Sequence, residues 1–178
     1  MSEVVKRSKM RISFAMVGLA FAALIITYAG VAVVTAIRTR DSVPRLAIDS
    51  MVRALRTHHQ QTGRFPADFR ELEARVWKHK QPQDFGADGR TLTVANYYYI
   101  YHLVDARTAT IWAVPTGPRR EEASTHFLVL TPEWLRRWRG APLELDEVVR
   151  LRPVPDLRDL AVLGLTEQSP IDLRKRKP

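Results

Sequence analysis

The chain has 178 residues, 28 Lys/Arg against 19 Asp/Glu for a net +9, and no cysteine. That length leaves room for one domain of ordinary size with appendages, and the missing cysteines exclude a disulfide framework and any thiolate metal site. Residues 1–40 hold six Lys/Arg and one Glu, a net +5, so the other 138 residues carry only +4 and argue against a nucleic-acid surface as the main business of the chain.

Residues 1–11 are a basic N-terminus containing Lys6, Arg7, Lys9 and Arg11. Ile12 to Ile37 is a run of 26 residues without one charge; as a helix rising about 1.5 Å per residue it exceeds the roughly 30 Å hydrocarbon core. We read it as a single transmembrane helix, because a cleaved signal peptide has a shorter apolar region of about 7–15 residues and a small-x-small cleavage site. The dense basic cluster before the span keeps that end in the cytoplasm, since a long following domain is translocated largely regardless of its charge. Gly18 and Ala22 make a small-xxx-small pair suited to close helix packing in the membrane, although both residue types are common in such helices anyway. No Asp, Glu, Lys, Arg or His interrupts the span, and Thr27 and Tyr28 are only mild polar interruptions, which gives it no proton or ion path.

After Pro44, apolar residues recur at Ile48, Met51, Val52 and Leu55, and the stripe is extended to His59. This is the spacing of a helix with one buried face, from Pro44 to about Thr62, closed by Gly63. Phe65-Pro66 breaks the chain, and a second helix to about Lys78 buries Phe69, Leu72, Val76 and Trp77. The period then changes from helical to alternating. NYYYIYHLV (Asn96–Val104), TATIWAV (Thr108–Val114) and THFLVL (Thr125–Leu130) have strand composition. They predict a three-stranded antiparallel sheet, with a further short strand at Thr91–Val94, laid against the first helix. Thr131-Pro132-Glu133 has the chemistry of a helix start and predicts a short helix to Gly140 with Trp134, Leu135 and Trp138 turned inward. Residues 141–178, broken by prolines, are expected to be an extended tail with a helical turn or two at Asp156–Leu163.

The fold class expected is therefore α+β. The parts are a basic N-terminus (1–11), a transmembrane helix (12–37), a domain of helix on sheet (38–140) and a Pro-rich C-terminal tail (141–178).

No nucleophile stands with its base, and there is neither a carboxylate pair nor a phosphate loop, so no catalytic or cofactor-binding residue is assigned. His58, His59, His79, His102 and His126 do not make a metal site on spacing, since neighbouring helical residues point about 100° apart. Asp84 and Asp88 supply too few oxygens for calcium and read better as a glycine-rich turn. Tyr97, Tyr99 and Tyr101 share one strand face, which fits sheet packing better than stacking on bases or sugars. The best partner-binding candidates are Arg136, Arg137, Trp138 and Arg139, whose guanidinium and indole groups suit phosphate or carboxylate. Next comes the terminal run Arg174, Lys175, Arg176 and Lys177, suited to anionic lipid or an acidic groove. A solvated face and a frayed tail are the competing readings of the two clusters.

An uncharged N-terminal span, a helix issuing from it, then ALRTHHQQTGRFPADFRELE (Ala54–Glu73), QDFGADG (Gln83–Gly89) and a small antiparallel sheet resemble the type IV pilin and type II secretion pseudopilin family. The resemblance covers residues 12–130. It implies a long N-terminal helix that is half anchor and half packed on a sheet, in a non-enzymatic structural subunit of the bacterial inner membrane. The partners implied are the bilayer and other subunits of a membrane complex or pilus-like assembly. Family members are cut before a Phe and carry a Glu five residues into the mature chain. Here the comparable site is Ser13-Phe14, which puts Gly18 where that Glu would stand. The departure points toward an unprocessed accessory subunit of a larger respiratory, photosynthetic or secretion complex. DNA-uptake members of the family make membrane-tethered nucleic-acid binding the third reading.

Overall fold

The computed structural model describes residues 44–78 and 84–175. The basic N-terminus, the segment 12–37 with Gly18 and Ala22, His79, Arg176 and Lys177 lie outside the described residues. Among the described residues no helix is long and apolar enough to cross a membrane.

Helix α1, described over residues 44–62, forms where the apolar period required it. Ile48, Met51, Val52 and Leu55 are buried as expected, with Ala54 beside them. The stripe continues to His58, which is fully buried, rather than to the half-buried His59. Gly63 closes the helix with φ +77°, its N–H bonded to the His59 carbonyl, a conformation that favours glycine. The second helix is shorter than the pattern suggested. α2 (Phe69–Leu72) is capped by Asp68, whose side chain accepts from the Glu71 N–H, and runs into a π-helical turn, Glu73–Trp77, that ends at a left-handed Lys78. Phe69 and Leu72 are buried, whereas Val76 and Trp77 are only half-buried.

Six strands form one antiparallel meander in the order β1-β2-β3-β4-β5-β6: β1 (Thr91–Val94), β2 (Tyr97–Asp105), β3 (Thr108–Pro115), β4 (Thr125–Leu130), β5 (Trp134–Gly140) and β6 (Thr166–Asp172). The first four follow the expected segments. β1 and β2 are joined by Ala95 and Asn96, both with positive φ, in the manner of a two-residue hairpin. β2 and β3 are joined by a turn at residues 106 and 107.

Two expectations are corrected beyond β4. Residues 134–140 are a strand, not a helix. Trp134 donates its N–H to Thr131 Oγ1, and Thr131 donates its N–H to the Trp134 carbonyl. Thr-Pro-Glu therefore makes a tight turn; a hydroxyl followed by proline suits a turn as well as a helix cap. Pairing with β4 then decides the outcome, since Leu130 faces Leu135 and Phe127 faces Trp138. Leu135 and Trp138 end up buried on opposite faces of the sheet, and Trp134 is 42% exposed. The second correction concerns residues 141–178, which are not an extended tail. They supply α3 (Leu145–Val149), α4 (Leu157–Val162) and the sixth strand, so that β5 and β6 extend the four expected strands to six.

The sheet consequently separates two apolar layers. On one side α1 and α2 cover Leu92, Tyr99, Tyr101, Ile111, Leu128, Leu130 and Leu135. On the other, Val148 of α3, Leu160 of α4 and Leu165 cover Ile100, Trp112, Phe127 and Trp138. Alternation along each strand divides neighbours between the two.

The tyrosine strand carries an internal contrast. Tyr101 Oη donates to the Pro66 carbonyl at 2.6 Å, while the buried Tyr99 Oη finds no hydrogen-bond partner among the described residues. Burial pushes the pKa of both phenols up. Removing a satisfied buried donor strands its acceptor, at about 1–3 kcal/mol, whereas an unsatisfied hydroxyl contributes nothing comparable. Tyr101→Phe is therefore expected to lower stability by that amount in urea unfolding, and Tyr99→Phe to be neutral or stabilising. Equal losses would mean that the Pro66 bond does not form.

Candidate interaction site

The arginine-rich stretch of β5 is where sequence and structure diverge most. On a helix, residues 136, 137 and 139 would share a broad face; on a strand they alternate. Arg136 points to the α3/α4 side. Its guanidinium lies 4.9 Å from the Trp138 ring centroid and donates to Glu167 at 2.7 and 3.0 Å. That bond holds the Glu167 carboxyl below the usual carboxylate range.

Arg137 and Arg139 point to the α1 side. Arg137 Nη2 donates to Asp49 of α1, tying the helix to the sheet, while its Nε is buried without a hydrogen-bond partner among the described residues. Arg139 Nε donates to Ser124 Oγ at 3.0 Å. Register brings further groups beside them: His126 faces Arg139 and Leu128 faces Arg137 from β4, and Gln168 faces Arg137 from β6. These residues, with Arg45 and Ile48 of α1, Ser169 and Ile171, line a cavity of about 300 Å³. The four-residue patch is thus divided by the sheet, with two of its arginines in a cavity and two members packed together on the far face. Neither Arg45 nor His126 stood out in the sequence as a companion to the patch, because nothing local links residues so far apart.

The C-terminal basic run is divided as well. Arg174 folds back on Asp172, donating at 2.9 and 3.0 Å, and its guanidinium lies 5.1 Å from the Trp134 ring. Lys175 closes the final turn, Leu173–Lys175.

A second polar cluster lies where α1 meets α2. Buried His58 Nδ1 lies 3.1 Å from the Arg64 carbonyl, which can only accept, and 3.2 Å from Thr62 Oγ1, and its Nε2 sits 3.3 Å from Glu71 Oε1. Glu71 also accepts from the Ala67 N–H at 2.7 Å and from Arg64 at 2.6 and 3.1 Å. Burial works to raise the Glu71 pKa, but the Ala67 N–H, Arg64 and His58 outweigh it and hold the carboxyl below its ordinary value. A depressed folded-state pKa gives stability that is full above the unfolded value, near 4.5, and is lost as pH falls through the folded one. Thermal melts on acidification should thus fall more steeply below about pH 4.5 for the native chain than for Glu71→Gln, with the variant less stable at neutral pH. Parallel curves would remove Glu71 as the source of this acid sensitivity.

Asp84 and Asp88 sit at a turn: the Asp88 carboxylate accepts from the Arg90 N–H at 2.9 Å, and Phe85 bridges to Leu92. Among the described residues no group of three or more His, Asp or Glu side chains is arranged to hold a metal ion. No family model matches the chain, and no match is found among curated proteins or solved structures.

Proposed function

We propose that the protein is a non-enzymatic, membrane-anchored subunit whose pilin-like domain serves protein assembly on the outer side of the bacterial inner membrane. The observation that carries this reading is α1. Its apolar stripe covers the tyrosine strand of an antiparallel sheet, the arrangement the pilin and pseudopilin resemblance implies. Pro44, the first described residue of that helix, follows the uncharged run that ends at Ile37 by seven residues in the sequence. The second layer, α3 and α4, is an addition that the resemblance does not imply. Gly18, standing where filament-forming members carry Glu, favours an accessory subunit of a larger complex over a filament component. The nucleic-acid reading loses support from the division of Arg136 and Arg137 between opposite sheet faces, because a phosphate backbone needs its cations on one surface.

The test is fractionation of the full chain followed by mass spectrometry of its N-terminus. The expected result is retention in the membrane through an alkaline carbonate wash, with an intact residue 1–40 segment and the domain digestible from the outer side. A chain recovered in the aqueous fraction without detergent would overturn the anchor. A mature N-terminus at Phe14 would overturn the accessory-subunit reading.

A further inference from the structure

The exposed apolar side chains are not scattered over the domain. Among the described residues seven large apolar side chains are exposed, and four of them, Val149, Val154, Leu157 and Val162, fall in the C-terminal layer. Val162 is 87% exposed and Val149 64%. Single exposed apolar residues are ordinary, whereas a concentration of them marks an interaction surface. The inner side of this layer is taken by Val148, Leu160 and Leu165, which cluster with Trp112, Phe127 and Trp138. The four exposed side chains therefore stand on its outer side.

The charges of the same segment decide what covers it. Residues 144–159 hold five acidic and three basic side chains. Asp146 pairs with Arg150 at 3.3 Å, and Glu144 pairs with Arg120. Glu147 accepts from the Glu144 N–H, and Asp156 and Asp159 cap α4, bonds to neutral backbone that leave three carboxylates without a counter-charge. Arg152 and Arg158 are exposed, with neither a hydrogen bond nor an ion pair among the described residues. Both signs thus stand unpaired around one apolar surface. An anionic bilayer would meet an excess of acid there, and a partner of either single sign would leave the other unmatched. A second copy carries both signs by necessity, and a two-fold axis brings each patch against itself.

We propose that the outer side of α3 and α4 is a homodimer interface, on which a second copy of this chain packs about a two-fold axis. The four apolar side chains form its core, and Arg152 and Arg158 meet carboxylates of the other copy. The assignment goes beyond the assembly role proposed above and stands without it, because it concerns the C-terminal layer alone.

The full chain in nonionic detergent is followed by sedimentation equilibrium, with Gly18→Leu as the control for association through the N-terminal segment. A concentration-dependent dimer is expected. Leu157→Glu puts a carboxylate among the apolar side chains, and Arg152→Glu combined with Arg158→Glu sets acid against acid. Each should weaken the dimer about tenfold or more, whereas Gly18→Leu should leave it within about twofold. All three C-terminal positions are exposed, so the variants keep the fold, as far-UV circular dichroism checks. The chain has no cysteine, so Val162→Cys supplies a single thiol that a short bismaleimide should link to a second copy. Leu46→Cys, equally exposed on α1, should stay unlinked. The proposal is overturned if the native chain sediments as a monomer, or if the dimer survives Leu157→Glu or the arginine variant unchanged. It is also overturned if Leu46→Cys links as readily as Val162→Cys.

Discussion

Replacing Trp112 by alanine is expected to cost about 3–5 kcal/mol of folding stability. Trp112 is 1% exposed and stands at the centre of the α3/α4 layer. Ile100 and Phe127 flank it on the neighbouring strands, and the Phe127 ring lies 4.5 Å away, centroid to centroid. Removing the indole deletes one of the two tryptophans of that layer and leaves a void which α3 and α4, of five and six residues, cannot close without leaving their caps. Against a total stability of about 5–15 kcal/mol, the loss is a large fraction. The midpoint of guanidinium unfolding, followed by far-UV circular dichroism, measures it. A change below about 1 kcal/mol would mean that the C-terminal helices do not seal this face.

Phe69→Ala is expected to produce a loss of the same order, about 3–5 kcal/mol, from the opposite face. Phe69 is fully buried, with its ring 5.3 Å from Tyr101 and 6.0 Å from Trp77. It also anchors α2, a four-residue helix that has too few turns to be stable alone. Its loss should therefore free the π-helical turn, Glu73–Trp77, and speed amide exchange there before the sheet is affected. The two residues lie in separate apolar clusters on opposite sides of the sheet, so the double variant should lose nearly the sum of the two, within about 0.5 kcal/mol. A much smaller combined loss would mean that the two layers respond as one.

α1 could be read from the sequence because a 3.6-residue period needs only one stripe, and Ile48 to Leu55 supplied it. The hairpins were readable for a similar reason: Tyr, Ile, Val and Thr alternate through β2 to β4, with turn residues between them. The second layer was not. Val148, Leu160 and Leu165 are single buried positions in a segment divided by prolines, and helices of five or six residues are too short to show a period. β6 hid more completely, since Thr-Glu-Gln-Ser-Pro-Ile-Asp has no apolar alternation and an edge strand needs none. At the site, the arginines of β5 were visible as a cluster, but its division depended on knowing strand from helix. The Thr-Pro-Glu signal fits both, and only pairing with β4 distinguishes them. Arg45 and His126 join Arg137 and Arg139 through tertiary structure alone.

The sixth strand and the turn after it close the domain. Leu173 is buried beneath the first helix, and its carbonyl accepts from Arg56 Nη2, a bond spanning 117 residues. This bond and the sixth strand can form only once the chain has been made as far as Leu173. Until then the nascent domain presents β5 as an open edge, and a stop codon before Thr166 would leave it so permanently. Chaperone capture of such a truncated product is the cellular signature of that geometry.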